Sequence, residues 1–316
     1  MDADVCQCAC LGGLVIRQQL THSPFQQISF RGRDFIIKRD DLLGPELSGN
    51  KARKLYHFFQ QGYLKIKTIA SFGGNQSNFM LALSELAKIK GWRFEYHTRS
   101  LPKYLKVNIQ GNLKQAMGNG MVLQEISQAE LSLIYLKKYY ENKGDIYLFD
   151  QGGRQSESEA GMAQLAIEIK EYVTENKLDE YHVFLPSGTG ASAFYLQQHL
   201  PDKVVKTCAC VGNEAYLFEQ MASLSQGVRG VKFPEVLTQE KKPHFGKLNV
   251  EHLEMYQCLL DETNIEFDLL YDPIGWKALL ENALKLNGEI IYVHCGGVSG
   301  NETMLRRYDY ASKRII

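Results

Sequence analysis

Short β-branched or aromatic runs alternate with longer stretches of helical periodicity along most of the chain. The strand-like runs fall at 68–72, 93–97, 121–124, 146–149, 182–185, 204–211, 267–271 and 289–294. The helix-like stretches fall at 51–61, 78–90, 158–173, 191–199, 214–224, 250–261 and 276–286. In 78–90, Phe79, Leu83 and Leu86 keep the helical period, Asn78 can cap the start, and Gly91 stops it. This alternation predicts right-handed βαβ units. The expected fold class is therefore α/β: two open, twisted, mostly parallel sheets with flanking helices, and a ligand in the cleft between them.

Length agrees with that picture. At about 150 residues per domain, 316 residues suit two domains or one large one. Hydrophobic residues make up 44% and charged residues 23%, which excludes disorder and fibrous repeats. Lys plus Arg and Asp plus Glu are each 36, and no Lys/Arg-dense run appears. Nucleic acid and an anionic membrane are thus not expected as partners. No window reaches the roughly 18 apolar residues that cross a bilayer. Asp2 and Asp4 replace the basic start of a signal peptide, and the apolar stretch 11–16 is short for an export core.

Seven cysteines, an odd number in a chain of this size, point to a reducing compartment, and a cytoplasmic protein is expected. Cys6, Cys8 and Cys10 could hold a soft metal, but no fourth Cys or His is near, so they read as a tail and no metal site is expected. Cys208 and Cys210, two apart in a β-like run, read as core filler on one buried face.

Four segments could carry chemistry. In KRDDLLGPELSGNKARKL (38–55), a Ser-Gly-Asn turn leads into a helix opened by Lys51. Lys51 is either a solvated lysine or one whose amine the positive helix end keeps neutral, ready for a Schiff base. In SFGGNQSN (71–78), a glycine pair admits close backbone approach, and Asn75, Gln76, Ser77 and Asn78 supply polar groups at a helix start. In LPSGTGAS (185–192), a β-run passes through Gly188, Thr189, Gly190 and Ala191 into a helix, where backbone amides could cradle a monophosphate. No Gly-Lys-Ser/Thr follows, so it is not a nucleoside-triphosphate loop. In IIYVHCGG (290–297), a strand ends on His294, Cys295 and two glycines; His294 reads as structural, and Cys295 has no clear base partner. One ligand with a monophosphate and a lysine-reactive aldehyde would meet these features, and pyridoxal 5'-phosphate is such a ligand.

In order, the RDD…SGNKARKL segment, the Gly73-Gly74-Asn75-Gln76-Ser77-Asn78 turn and the His294-Cys295-Gly296-Gly297 ending resemble the 1-aminocyclopropane-1-carboxylate (ACC) deaminase and D-cysteine desulfhydrase family. That family consists of pyridoxal-phosphate enzymes of fold type II, similar in architecture to the tryptophan synthase β subunit. The resemblance implies that Lys51 carries the cofactor and moves protons, and that Asn78 bonds its phenolic oxygen. Ser77 would act on the substrate, with Asn75 and Gln76 completing a carboxylate site. Gly188, Thr189, Gly190 and Ala191 would hold the phosphate, and Cys295, where threonine is usual, would meet the pyridine nitrogen. It further implies a smaller α/β domain at 52–155, inserted into a larger one made of 1–51 and 156–316, and a homodimer.

Two departures stand out. Asp272-Pro273-Ile274-Gly275-Trp276-Lys277 lacks the family's tyrosine, which Tyr271 or Trp276 could replace. Phe79-Met80 follow Asn78 where polar residues are usual, so a more apolar pocket is expected. The implied activity is a lyase or deaminase acting on a small amino acid, with D-cysteine giving pyruvate, sulfide and ammonia. The alternatives are ACC deamination to 2-oxobutyrate and ammonia, disfavoured by the missing tyrosine, and a catalytically silent cofactor-binding protein.

Overall fold

A computed structural model describes residues 20–44, 47–226, 229–240 and 244–313. Cys6, Cys8 and Cys10 lie outside the described residues. The strands are β1 (Phe25–Phe30), β2 (Arg33–Lys38), β3 (Thr68–Phe72), β4 (Arg93–Thr98), β5 (Met121–Glu125), β6 (Ile146–Leu148), β7 (Tyr181–Ser187), β8 (Val205–Ala209), β9 (Glu235–Val236) and β10 (Glu289–Val293). The helices are α1 (Gly49–Gln60), α2 (Asn78–Lys90), α3 (Lys103–Val107), α4 (Gly111–Gly118), α5 (Leu133–Tyr140), α6 (Ser158–Glu175), α7 (Ala191–Gln198), α8 (Glu214–Leu224), α9 (Val250–Thr263), α10 (Asp272–Asn282) and α11 (Asn301–Ser312).

They build two sheets, as the alternation predicts. One is six-stranded in the order β1-β2-β10-β7-β8-β9, the other four-stranded in the order β5-β4-β3-β6. Every strand pair is parallel except β1 with β2. The carboxyl ends of β2, β10 and β7 in the large sheet and of β3 in the small one deliver the segments singled out above, the usual place for ligand loops in an α/β sheet.

Local chemistry accounts for the element ends. Ser77, not Asn78, caps α2: its hydroxyl accepts from Phe79 N (3.2 Å) and Met80 N (3.3 Å). Gly91 closes the same helix in the left-handed conformation. The hairpin β1–β2 was not foreseen from the sequence. It turns on Arg31 and Gly32, both at positive φ, and buries Phe30, Phe35 and Ile37.

The run 267–271 is not a strand. Side chains take its backbone groups before a neighbouring strand can: Asp268 Oδ1 accepts from Leu270 N (2.8 Å) and Tyr271 N (2.6 Å), and Asn301 Oδ1 accepts from Leu269 N (2.8 Å). The segment turns instead into α10, which starts at Asp272 with Pro273 in its first turn and ends before the expected 286.

Phe79 and Met80 are core residues among Leu83, Leu86 and Phe149, which corrects the expectation that they make the pocket apolar. Trp276 is likewise fully buried, stacked on Tyr292 at 4.5 Å between ring centroids.

A buried charge cluster ties the elements around α1 together. Arg53 of α1 meets Asp40 at 2.7 Å and Glu168 of α6 at 2.5 Å, and Lys38 of β2 meets Glu168 at 2.6 Å. Ser23 Oγ donates to Asp40 at 2.6 Å. Two cations and two carboxylates thus satisfy one another at almost zero exposure, two residues from Lys51 in α1.

Candidate active site

Lys51 sits in the first turn of α1, and α1 begins directly on the loop that follows β10. Asn50 N donates to Cys295 O at 3.2 Å. Gly49 holds φ +61, and a Cβ there would overlap the Cys295 carbonyl and lie 2.6 Å from Gly296 N. The approach of helix start and loop therefore requires glycine. Asn50 Nδ2 also donates to Ser192 Oγ at 3.1 Å, which draws the start of α7 to the same point. Lys51 Nζ bonds the neighbouring Asn50 Oδ1 and makes no ion pair among the described residues. Burial pushes the amine down from its ordinary value, against the pull of Cys295, Asp268 and Asp272.

From the small sheet, Asn78 projects into the same region. Asn112 Nδ2 donates to Asn78 Oδ1 at 2.7 Å and to Gln76 O at 3.1 Å, and Ser299 Oγ donates to Asn112 Oδ1 at 3.0 Å. The Asn78 amide nitrogen is left free to donate; it lies 2.5 Å from where a Cβ of Gly297 would stand. The side chain of Gln76 turns to Gln110 O (3.1 Å) through its nitrogen, and its oxygen is buried without a partner. The backbone amides of Asn75 and Gln76 have no acceptor among the described residues.

The β7–α7 turn presents the amides of Gly188, Thr189, Gly190 and Ala191, none of which has an acceptor among the described residues. They open α7, where unpaired donors and the helix dipole favour an anion. Gly152 packs against Thr189. Lys54 donates to the Gly152 carbonyl at 2.8 Å, beside that turn. Burial, with Lys51 and Arg154 nearby, pushes Lys54 down to about 7.

Cys295 is buried, and burial pushes its thiol up against the pull of Lys51, so it stays uncharged. His294 is structural, as its strand-end position suggests. Its Nε2 donates to Glu266 O at 2.8 Å, its Nδ1 accepts from Gly296 N at 3.1 Å, and its ring stacks on Phe267.

Of the residues at the site, Asp268 was hidden from the sequence, whereas Tyr271 was one of the two residues offered in place of the family's tyrosine. Tyr271, rather than Trp276, stands there: its hydroxyl is 3.3 Å from where a Cβ of Gly188 would be, and Phe245 covers its ring at 4.8 Å. Burial, then Asp268, push the phenol up, so the O–H stays on. Asp268 is 2% exposed and reaches the site with one oxygen, Oδ2, that no group among the described residues bonds. Both residues lie in the run read as a strand, which is why the pattern gave no hint of Asp268.

Lys51, Asn78, the 188–191 turn, Cys295, Tyr271 and Asp268 thus lie together where loops from both sheets meet. The fold places the chain in a class: the two-sheet α/β architecture of fold-type-II pyridoxal-phosphate enzymes. A solved ACC deaminase homologue superimposes with a TM-score of 0.71 over 88% of this chain and 90% of that one, at 21% identity. In sequence, the chain is 26% identical to the bifunctional D-cysteine desulfhydrase/ACC deaminase of Arabidopsis thaliana, named as mitochondrial, over 85% of this chain and 73% of the relative. It is also 26% identical to a Thermotoga maritima protein provisionally named an ACC deaminase, over 87% of this chain and 92% of the relative. No family model matches. The chain is therefore a homologue of the ACC deaminases and D-cysteine desulfhydrases, as the motifs indicate.

Proposed function

We propose that the chain is a pyridoxal-phosphate-dependent lyase that releases ammonia from a small amino acid by elimination, with D-cysteine as substrate. The observation that carries this reading is the convergence of a lysine amine that makes no ion pair among the described residues with a carboxamide donor and a turn of four unpaired amides. The residues fit the cofactor. Gly188, Thr189, Gly190 and Ala191 would hold its phosphate, with Lys54 close enough to lend charge. Asn78 would donate to its phenolic oxygen, and the uncharged Cys295 would face its ring nitrogen.

When bound, the cofactor supplies an aldehyde for lysine and a ring that accepts electron density. The remaining work belongs to the chain. A Lys51 amine held down by burial is the base that moves the α-proton. Ser77 Oγ, fixed by two amides and bonded to the Tyr96 side chain, would act on the substrate. The unpaired amides of Asn75 and Gln76 receive the carboxylate, while the Gln76 side chain is engaged with Gln110. An uncharged Cys295 beside the ring nitrogen would offer no charge to keep it protonated, which would favour elimination over transamination.

ACC deamination is the second reading, and Tyr271 favours it: a protonated phenol at the site can assist ring opening in place of the family tyrosine. A silent binding protein is disfavoured, because a lysine, a carboxamide and a phosphate turn are all kept in one cleft. The test is product analysis of the purified protein with each amino acid. Pyruvate and sulfide from D-cysteine support the first reading, 2-oxobutyrate from ACC supports the second, and no product from either overturns both.

This reading takes 52–155 as the smaller inserted unit. It also assigns the protein to a reducing compartment, the cytoplasm, as a homodimer. The described cysteines Cys208, Cys210, Cys258 and Cys295 are all free thiols, which supports the compartment. No helix among the described residues is long and apolar enough to cross a membrane.

A further inference from the structure

Asp268 has no part in the chemistry described so far, yet its placement is not that of a structural carboxylate. Its Oδ1 is spent on the turn, accepting from Leu270 N and Tyr271 N. Its Oδ2 has no hydrogen-bond partner, in a residue 2% exposed. A buried carboxylate oxygen without a donor is costly and is kept where something else uses it. Oδ2 lies 3.0 Å from where a Cβ of Gly297 would be, and the free Asn78 amide nitrogen lies 2.5 Å from that same point. The carboxyl thus reaches the cleft beside the carboxamide, within electrostatic range of Lys51.

We infer that Asp268 is a positioning residue for Lys51: its free oxygen faces the cleft beside Asn78, and its negative charge holds the Lys51 amine protonated until that charge is neutralised. The inference rests on the proposed role of Lys51. Neutralisation comes from a proton or from a positive charge on an incoming ligand. Asp268 is thereby a switch between a resting ammonium and a reactive amine. The ionisable groups around it are Lys51 from α1, Asp272 and Tyr271 at the start of α10, and Cys295 and His294 after β10. Asp272 is already bonded by Tyr292 OH (2.6 Å) and Asp268 N (2.8 Å), and both ring nitrogens of His294 are engaged. Among the carboxyls that bear on Lys51, Asp268 is the one with an uncommitted oxygen. Burial and the Asp272 charge push its carboxyl up, which brings its titration toward neutral pH.

The experiment follows cofactor attachment rather than turnover. Cofactor-free protein is mixed with pyridoxal phosphate across a range of pH, and visible absorbance and borohydride trapping at Lys51, read by peptide mass, give the attachment rate. Asp268→Asn and Asp268→Ser each remove the charge while keeping an oxygen to accept from the turn amides; Asp268→Glu keeps the charge. With the carboxylate gone, Lys51 loses its proton more readily. The pH midpoint of attachment is therefore expected to fall by about 1 unit in the Asn and Ser variants, roughly tenfold faster attachment below the wild-type midpoint, with Glu near wild type. An unchanged midpoint in whichever of the Asn and Ser variants folds overturns the inference and leaves the Lys51 assignment standing. No attachment at Lys51 in the wild type at any pH removes the Lys51 assignment, and the inference with it.

Discussion

At the scale of single residues, Lys51 differs from its neighbours in environment rather than in type. Arg53 is neutralised by Asp40 and Glu168, and Lys54 is held by the Gly152 carbonyl, whereas among the described residues Lys51 bonds the side-chain oxygen of Asn50 alone. Lys51→Ala is expected to abolish both cofactor attachment and turnover, and attachment at another lysine, seen by peptide mass, would contradict that. Tyr271 carries the next prediction. Tyr271→Phe keeps the ring that packs on Phe245 and removes only the hydroxyl near Gly188. Turnover should drop about 100-fold, as for loss of a positioned acid, with cofactor affinity unchanged. Equal loss of both would mean that the hydroxyl only builds the cofactor pocket. Turn glycines and the helix-opening lysine were legible in the sequence because they break local patterns. Asp268 was not, since its run Phe-Asp-Leu-Leu-Tyr reads as a strand until Asn301, 32 positions later, takes the Leu269 amide.

At the scale of elements, α1 is held from two sides, and both can be tested. Gly49→Ala would press a Cβ into the Cys295 carbonyl at φ +61, so a loss of about 1–3 kcal/mol in urea unfolding is expected. On the other side, Glu168→Gln removes one charge from the cluster joining α1, α6 and β2. The expected loss is about 3–5 kcal/mol, because Arg53 and Lys38 are left buried with too few anions. The same group sets an acid limit. Burial pushes Glu168 up, but Arg53 and Lys38 outweigh it and hold the carboxyl down to about 2. A depressed carboxyl contributes its full stability above its unfolded value of about 4.3 and loses it as pH falls toward about 2. Stability measured from pH about 5 downward should therefore fall more steeply in the wild type than in Glu168→Gln, and parallel curves would contradict this. None of this cluster was legible, because Lys38, Asp40, Arg53 and Glu168 meet only after the sheet and α6 have packed. The β1–β2 hairpin was missed for a different reason: Arg31-Gly32 is not a usual hairpin pair, and Gln26, Gln27 and Ser29 dilute its apolar alternation.

At the scale of the whole molecule, the βα alternation legible in the chain gives both sheets, and loops from the two sheets meet around Gly297 and Asn78. The large sheet supplies Lys51, the 188–191 turn and Cys295; the small sheet supplies Ser77 and Asn78. Neither half holds the full set, so the chemistry requires the pair. The central claim is that this site binds pyridoxal phosphate through Lys51, and absorbance with borohydride trapping tests it most directly. Protein given the cofactor should show a visible band that changes on adding D-cysteine, and reduction should add the cofactor's mass to the Lys51 peptide. A colourless protein whose Lys51 peptide keeps its original mass would contradict the account.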